Sequence, residues 1–403
     1  MNSFVLIETT NHSSSQVGIK TAKNFGYYIH LITSRKNIVK QEFPEIDEIH
    51  LINDLEEEII HQKIKEINHI HNINIIISFL DPFVSVAAKF HNMYCHKNIS
   101  GEAFRIMEDK ILTRNHLQYK PYSPYFFSIN THESVKNLLP LIKQKYPLIL
   151  KSPLSTGSKD VYLIHTENQM KNRINFLKRK NSNKDLLIEE YINGPQWIVE
   201  AIVYQGNIQI VAIIEQQLTK HLKFIVTGYS ISSDLDENMF NSISKVTHSI
   251  LNDLDVQNGN CHLELRFVNG AWKLIEINPR ISGGAMNRII YEAYGFNYIE
   301  QILRLYQGVQ PLIERKYEHC IYSHFFTVDM IGELKEVTGV EEAKKFPGIL
   351  EVFIKPKIGH ILSPPLSMGH RYGYIIAKGK TKKEAKVNAL QASEQIKFHL
   401  SPI

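Results

Sequence analysis

Two short runs, His262-Leu263-Glu264-Leu265-Arg266 and Leu274-Ile275-Glu276-Ile277-Asn278, restrict most narrowly what this chain can fold into. The first alternates apolar and polar residues throughout and the second from Ile275 onward, the pattern of a half-buried strand. Residues two apart share a face, so His262, Glu264 and Arg266 point one way, as do Glu276 and Asn278. For Glu264 to lie opposite Glu276, the hairpin must be centred on Gly270. That predicts a three-residue or bulged turn over Asn269-Gly270-Ala271 rather than a two-residue Asn-Gly turn. Two carboxylates and an amide oxygen then form a hard-oxygen set suited to Mg²⁺ carrying nucleotide phosphates. The alternative is an ordinary hairpin with solvent-facing charges.

Upstream, the first hundred residues alternate strands with helices: Phe4–Ile7, a helix from Gln16 to Phe25, then strands at Tyr28–Ile32, Ile49–Leu51 and Ile73–Ile77. That order argues for a parallel sheet with helices on its faces. The loop Thr9 to Ser15 stands where a phosphate loop would stand but holds no glycine, so the dinucleotide fingerprint is absent. This region reads as a scaffold. His61, His69 and His71 lie in a polar helical stretch, Leu55 to Asn72; with no carboxylate or cysteine completing a ligand set, they read as solvated side chains.

From Gly101 the texture changes. A helix carries Asp109-Lys110 and is broken by the prolines of Tyr119 to Pro124. Strands follow at Leu148–Lys151 and Val161–Ile164, joined by a loop from Ser152 to Asp160, and strands dominate from Leu186 to Ile277 with a helix near Asn241 to Leu254. The tail, Tyr322 to Ile403, reads as a separate β-rich lobe closed by a helix, Lys382 to Phe398. Lys110 and Lys151 each stand at the edge of an apolar segment, where a cation can hold phosphate. Ser155-Thr156-Gly157-Ser158 is a small-residue loop whose N–H groups and hydroxyls can close over phosphate oxygens. Leu186 to Ile192 is an apolar strand leaving into Asn193-Gly194-Pro195, an exit that can present backbone groups to an adenine edge.

The formal net charge of +5 is spread over 403 residues without a dense basic tract, which argues against a nucleic-acid partner. Cys95, Cys261 and Cys320 are widely spaced and read as reduced thiols. Neither a signal peptide nor an apolar run of membrane length is evident, so a cytoplasmic protein without a membrane partner is expected.

In order and spacing, Asp109 to Gln310 resembles the ATP-grasp superfamily, most specifically at Glu276-Ile277-Asn278-Pro279-Arg280. The fold class implied is α/β (α+β ATP-grasp): an N-terminal Rossmann-like parallel α/β domain (1–100), central ATP-grasp lobes (101–310, with a small lid lobe about 125–185) and a C-terminal β-rich lobe (311–403). The resemblance implies that Lys110 and Lys151 contact ATP phosphates under a loop containing Gly157 and Ser158. It makes Glu189, Glu190, Tyr191 and Ile192 the adenine-binding linker. It gives the metal, two Mg²⁺ ions or Mn²⁺ in their place, to Glu264, Glu276 and Asn278. Arg280 would stabilise the transferred phosphate, with Glu276 and Lys151 in the catalytic set. Gln196 stands where the family often has a ribose-binding glutamate, which implies weaker ATP binding, and Asp160 stands where a second loop glycine is common.

Within the superfamily the chain looks most like the L-amino-acid ligases, through Arg280-Ile281-Ser282-Gly283-Gly284 and the segment Tyr372 to Thr381. That implies a substrate site at Ser282, Gly283 and Gly284 with Arg280 or Arg288 pairing a carboxylate, His262 touching the acyl acceptor, and a homodimer. Tyr229, Ser230, Ser232, Ser233 and Ser13 to Ser15 are further pocket candidates. The implied activity is ATP-dependent joining of a carboxylate to an amine, both small molecules and expected to be amino acids, through an acyl phosphate. A biotin-carboxylase-like enzyme and a non-catalytic ATP-binding protein are the competing readings.

Overall fold

A computed structural model describes residues 2–10, 14–36, 42–130, 139–140, 142–143, 145–153, 155, 157–180, 185–219, 224–233 and 235–403. Ser13 and Thr156, both candidates from the sequence, lie outside the described residues.

The N-terminal region forms a four-stranded parallel sheet in the order Glu48–Leu51, Tyr28–Thr33, Asn2–Ile7, Asn72–Ile77. Alternate residues of its strands enter different cores. Val5, Ile7, Ile32, Ile73 and Ile76 pack with Ile60, Ile64 and Ile67, one face of the helix Glu57–Ile70. Phe4, Leu6, Ile29, Leu31, Ile75 and Ile77 face the other way, with Ile19 and Ala22 of the helix Ser14–Asn24. Both faces are covered, which is why these strands read as near-continuous apolar runs.

An eight-stranded antiparallel sheet forms the centre, in the order Ala271–Asn278, Gly259–Val268, Gln196–Tyr204, Asn207–Leu218, Val226–Ile231, Cys320–Phe325, Gly373–Gly379, Ile349–Ile354. Its last three strands come from the tail, so the β-rich segment expected to stand apart continues the central sheet. The helix expected over Lys382 to Phe398 ends at Ser393, and Lys397–Ser401 forms a strand in a three-stranded sheet with Gly332–Thr338 and Ile361–Leu362. A fourth sheet orders Phe126–Ile129, Leu186–Glu190, Leu148–Lys151, Val161–Ile164, backed by the helix Glu167–Lys180 through Met170, Ile174 and Leu177. The strand Leu186–Glu190 thus belongs to the small lobe, beyond the boundary near 185 expected from sequence.

The hairpin corrects one expectation and keeps its consequence. Val268 pairs with Ala271, so the turn is the two-residue Asn269-Gly270, with φ of 51° and 77°. Two successive positive φ angles make it a primed turn, whose twist matches the strands. The extra residue sits inside the strand instead: Glu264 pairs with Glu276 but Leu265 pairs with Leu274, leaving Ile275 as a bulge. The bulged strand is a sheet edge, where such irregularities are common.

Candidate active site

A cavity of about 310 Å³ opens between the small lobe and the central sheet. The candidates for catalysis and for ATP, metal and substrate binding line it, except Gly284 and Arg288. Arg288 lies on the helix Met286–Tyr294, half-exposed, and pairs with Glu292 at 2.7 Å and Glu351 at 3.1 Å. A helix-surface position with two carboxylates of its own leaves it outside the pocket. Gly284, at φ 76°, sits where a Cβ would come 3.5 Å from Arg371. Tyr229 lines the cavity, whereas Ser230 and Ser232 border a smaller one and Ser233 contacts Cys320 at 3.2 Å. Strand alternation separates them. Ser14 and Ser15 are buried away from the lining, the former donating to Ser282 O at 3.4 Å.

Glu264 and Glu276 stand directly opposite each other, and Asn278 lies opposite His262. Lys110 opens the helix Lys110–His116, whose N-cap Asp109 accepts from Ile111 N and Leu112 N. This cap, not the prolines, divides the predicted helix in two, the first part being Gly101–Glu108. Its ammonium reaches Glu276 at 3.3 Å and donates to Ser155 O at 3.0 Å. Burial alone would raise the Glu276 carboxyl, but Lys110 and Lys151 outweigh it and hold the group at about 2. It is therefore ionised at neutral pH, ready to hold a cation.

Glu189 points inward. Its two oxygens pair with Arg114 Nε and Lys151 Nζ, each at 2.5 Å, and all three side chains are almost fully buried. Burial opposes its charge, yet Arg114 and Lys151 hold its carboxyl below the ordinary value. Glu189 is thus committed to two buried cations. Gln196 is also committed: its amide donates to Gln216 at 2.5 Å and Glu264 at 2.7 Å, and accepts from Arg266 at 2.8 Å. It positions a carboxylate of the site, a duty not expected of a ribose contact. Arg266 in turn donates to Ile192 O and lies over the Phe224 ring.

His262 is clamped between Glu200, 2.8 Å from Nδ1, and Glu264, 3.5 Å from Nε2. Its burial favours the neutral ring, but Glu200 dominates the outcome and lifts it to about 10, so it is an imidazolium. The same Glu200 oxygen accepts from Ser282 N at 3.0 Å, tying the glycine segment to the sheet. Arg280 is gripped by Asp81, at 2.7 Å from Nε and 2.5 Å from Nη2. Arg371 enters the lining from the tail, 4.0 Å above the Phe325 ring. Across the mouth, Met368 N donates to Gly157 O at 3.0 Å, joining the small-lobe loop to the tail.

Sequence reading missed Asp81, Arg114, Glu200 and Arg371. Glu200 alone carried a local signal, a carboxylate inside the apolar run Ile198 to Val203. Of the three helical histidines, His69 is exposed and His61 bonds Tyr94 Oη at 2.9 Å. His71 instead turns onto His30, with the Glu48 carboxylate close to both, a neighbour not visible beside His71 in the sequence. The three cysteines are free, and burial pushes the Cys95 thiol up to about 12. Among the described residues, no helix is long and apolar enough to cross a membrane.

The chain spans about half the length of the curated relatives it matches. It is 25% identical over 243 residues to dapdiamide A synthase of Enterobacter agglomerans, covering 58% of this chain and 57% of that protein. It is 24% identical over 227 residues to an L-arginine-specific L-amino acid ligase of Bacillus subtilis, covering 55% and 54%. The crystal structure of an L-amino acid ligase from Bacillus licheniformis superposes with a TM-score of 0.85 at 19% identity, covering 100% of this chain and 99% of that one, and shares its fold. Residues 144–288 match the family described as ATP-grasp domain, and residues 324–401 that described as L-amino acid ligase C-terminal domain 2. The cavity thus lies within a chain that carries an ATP-grasp domain followed by the C-terminal domain of the L-amino acid ligases.

Proposed function

We propose that this protein is an ATP-dependent ligase that joins two amino acids through an acyl-phosphate intermediate, releasing ADP and phosphate. The observation that carries the reading is the opposition of Glu264 and Glu276 beside Asn278, with Lys110, Lys151 and Arg280 converging on them. Three oxygen donors, one an ionised carboxylate amid cations, fit Mg²⁺, or Mn²⁺, better than a softer ion. Bound there, one or two such ions would neutralise phosphate charge during transfer. In this reading residues 1–100 act as a scaffold and 101–310 hold the nucleotide, while 311–403, continuing the central sheet, add Met368 and Arg371 to the cavity wall.

The chemistry needs positioning more than proton relays. A carboxylate is a poor electrophile because it would have to expel oxide; attack of its oxygen on the γ-phosphorus, with ADP leaving, supplies a phosphate leaving group. The amine nitrogen then attacks the acyl carbon, phosphate departs and a proton is released. Lys110 and Lys151 would steady the phosphates and Arg280, aimed by Asp81, the charge developing on the transferred group. The Gly157–Met368 contact supports closure of the small lobe, which would shield the acyl phosphate from water. The imidazolium of His262, fixed by Glu200, suits the carboxylate of an amino acid near Ser282.

The test is phosphate release from ATP and Mg²⁺ across a matrix of paired amino acids, with Glu276→Ala beside the unaltered protein. Release that needs two amino acids, yields a dipeptide by mass spectrometry and vanishes in the variant is the expected result. ATP binding without release on any pair would sink the dipeptide reading, and release that depends on bicarbonate and biotin would replace it.

A further inference from the structure

We propose that the N-terminal sheet carries a second cation site, for Zn²⁺, built by His30, Glu48 and His71 with His50 beside them. His30 is on the strand Tyr28–Thr33, and Glu48 and His50 are on its neighbour, with His30 paired to Glu48 and Ile32 to His50. His71 caps the C-terminus of the helix Glu57–Ile70, where the chain turns extended into the next strand. Residues from three elements thus converge, none of them part of the cavity described above.

His30, Glu48 and His71 each offer a ligand atom within 4.8 Å of the others. His30 Nδ1 lies 3.0 Å from His50 Nε2 and 3.4 Å from Glu48 Oε2, and His50 Nε2 lies 3.9 Å from that oxygen. Donors about 2.0–2.2 Å from a tetrahedral zinc stand roughly 3.3–3.6 Å apart, and these separations bracket that spacing. Imidazole nitrogens with one carboxylate are the donor set of a borderline divalent ion rather than of Mg²⁺ or Ca²⁺.

His30 is fully buried, so its Nδ1 is held against Glu48 and His50 rather than left free to turn to solvent. Ring stacking accounts for the packing, with His71 on Tyr28 and His50 on His30. It does not account for a carboxylate leaning on two imidazoles. Glu48 is half-exposed, so an ion can arrive from solvent. Coordination would pin two strands and a helix end together.

The experiment uses the full chain, stripped with chelator and then loaded with Zn²⁺ alone. Metal content after gel filtration and the thermal shift on zinc addition are measured for the unaltered protein and for His71→Ala, Glu48→Gln and Glu276→Ala. The expected result is about one zinc per chain and a rise in melting temperature. Both should persist in Glu276→Ala, disappear in His71→Ala, and need about tenfold or more extra zinc in Glu48→Gln. No bound zinc, zinc retained by both N-terminal variants, or zinc lost only in Glu276→Ala would each overturn the assignment. If His71→Ala fails to match the zinc-free melting of the unaltered protein, Glu48→Gln decides, since its side chain is half-exposed.

Discussion

Replacing Arg114 by methionine tests how the candidate site is held together. The guanidinium is 2% exposed and does two separate things. Its Nε pairs with Glu189 at 2.5 Å, and its Nη2 donates to Leu274 O at 3.0 Å and Ile275 O at 2.7 Å. Methionine keeps much of the volume but supplies neither service, so Glu189 is left buried with Lys151 alone. Breaking one partner from a buried ion pair costs about 3–5 kcal/mol, and buried carbonyls losing their donor add about 1–3 kcal/mol more. A total loss of about 4–8 kcal/mol follows, read as a fall in the urea midpoint at constant slope. Glu189→Gln separates the two services. In that background Arg114→Met should cost only the carbonyl contribution, about 1–3 kcal/mol, giving a coupling of about 3–5 kcal/mol in the double-mutant cycle. A single-variant loss under about 1 kcal/mol, or full additivity in the cycle, would refute the account of Arg114 as both counter-charge and bulge clamp.

Other consequences are sharper in kind than in size. Asp81→Asn keeps the side-chain shape but removes the charge that aims Arg280, so turnover in the ligase assay should fall about 10- to 100-fold with ATP binding little changed; unaltered turnover would remove Asp81 from the machinery. Gly270→Ala meets no atom within 4 Å but forces alanine to φ 77°, so it should cost about 1–2 kcal/mol by thermal melting, and a much larger loss would mean a steric cause. His91 is buried with Nδ1 accepting from Ile76 N and Nε2 donating to Tyr306 O, and burial, which outweighs the opposing pull of the Tyr306 carbonyl, brings it down to about 4 against 6.5 for a free imidazole. Its folded value is the lower one, so the unfolded chain binds the extra proton and stability is lost as pH falls from 6.5 towards 4. At about 1.4 kcal/mol per unit the loss reaches about 3 kcal/mol, which His91→Gln should largely abolish when urea midpoints are compared at pH 7 and pH 4.5.

The hairpin marks where sequence reasoning stops. Period-two alternation brought Glu264 opposite Glu276, because strand faces follow from local chemistry alone. The extra residue that register demands can sit in the turn or in the strand, and local sequence does not choose. Arg114 chooses: it takes the carbonyls of Leu274 and of the bulged Ile275 from a helix 160 residues earlier. With the bulge so held, Asn269-Gly270 is free to adopt the two-residue turn it favours. The other misses share this cause. Asp81 and Arg280 are 199 residues apart, and Arg114 and Glu189 are 75. Nothing beside Asp81 or Arg114 in the chain marks either as a partner, since the pairing exists only once the lobes pack. The same holds for Gln196, for which the resemblance implied a ribose contact and whose two ends folding sets against Glu264 and Arg266. Residues expected to touch substrate were legible from motif and periodicity, whereas those that aim them are long-range ion pairs. The positioning residues are therefore where substitutions will test this site most severely.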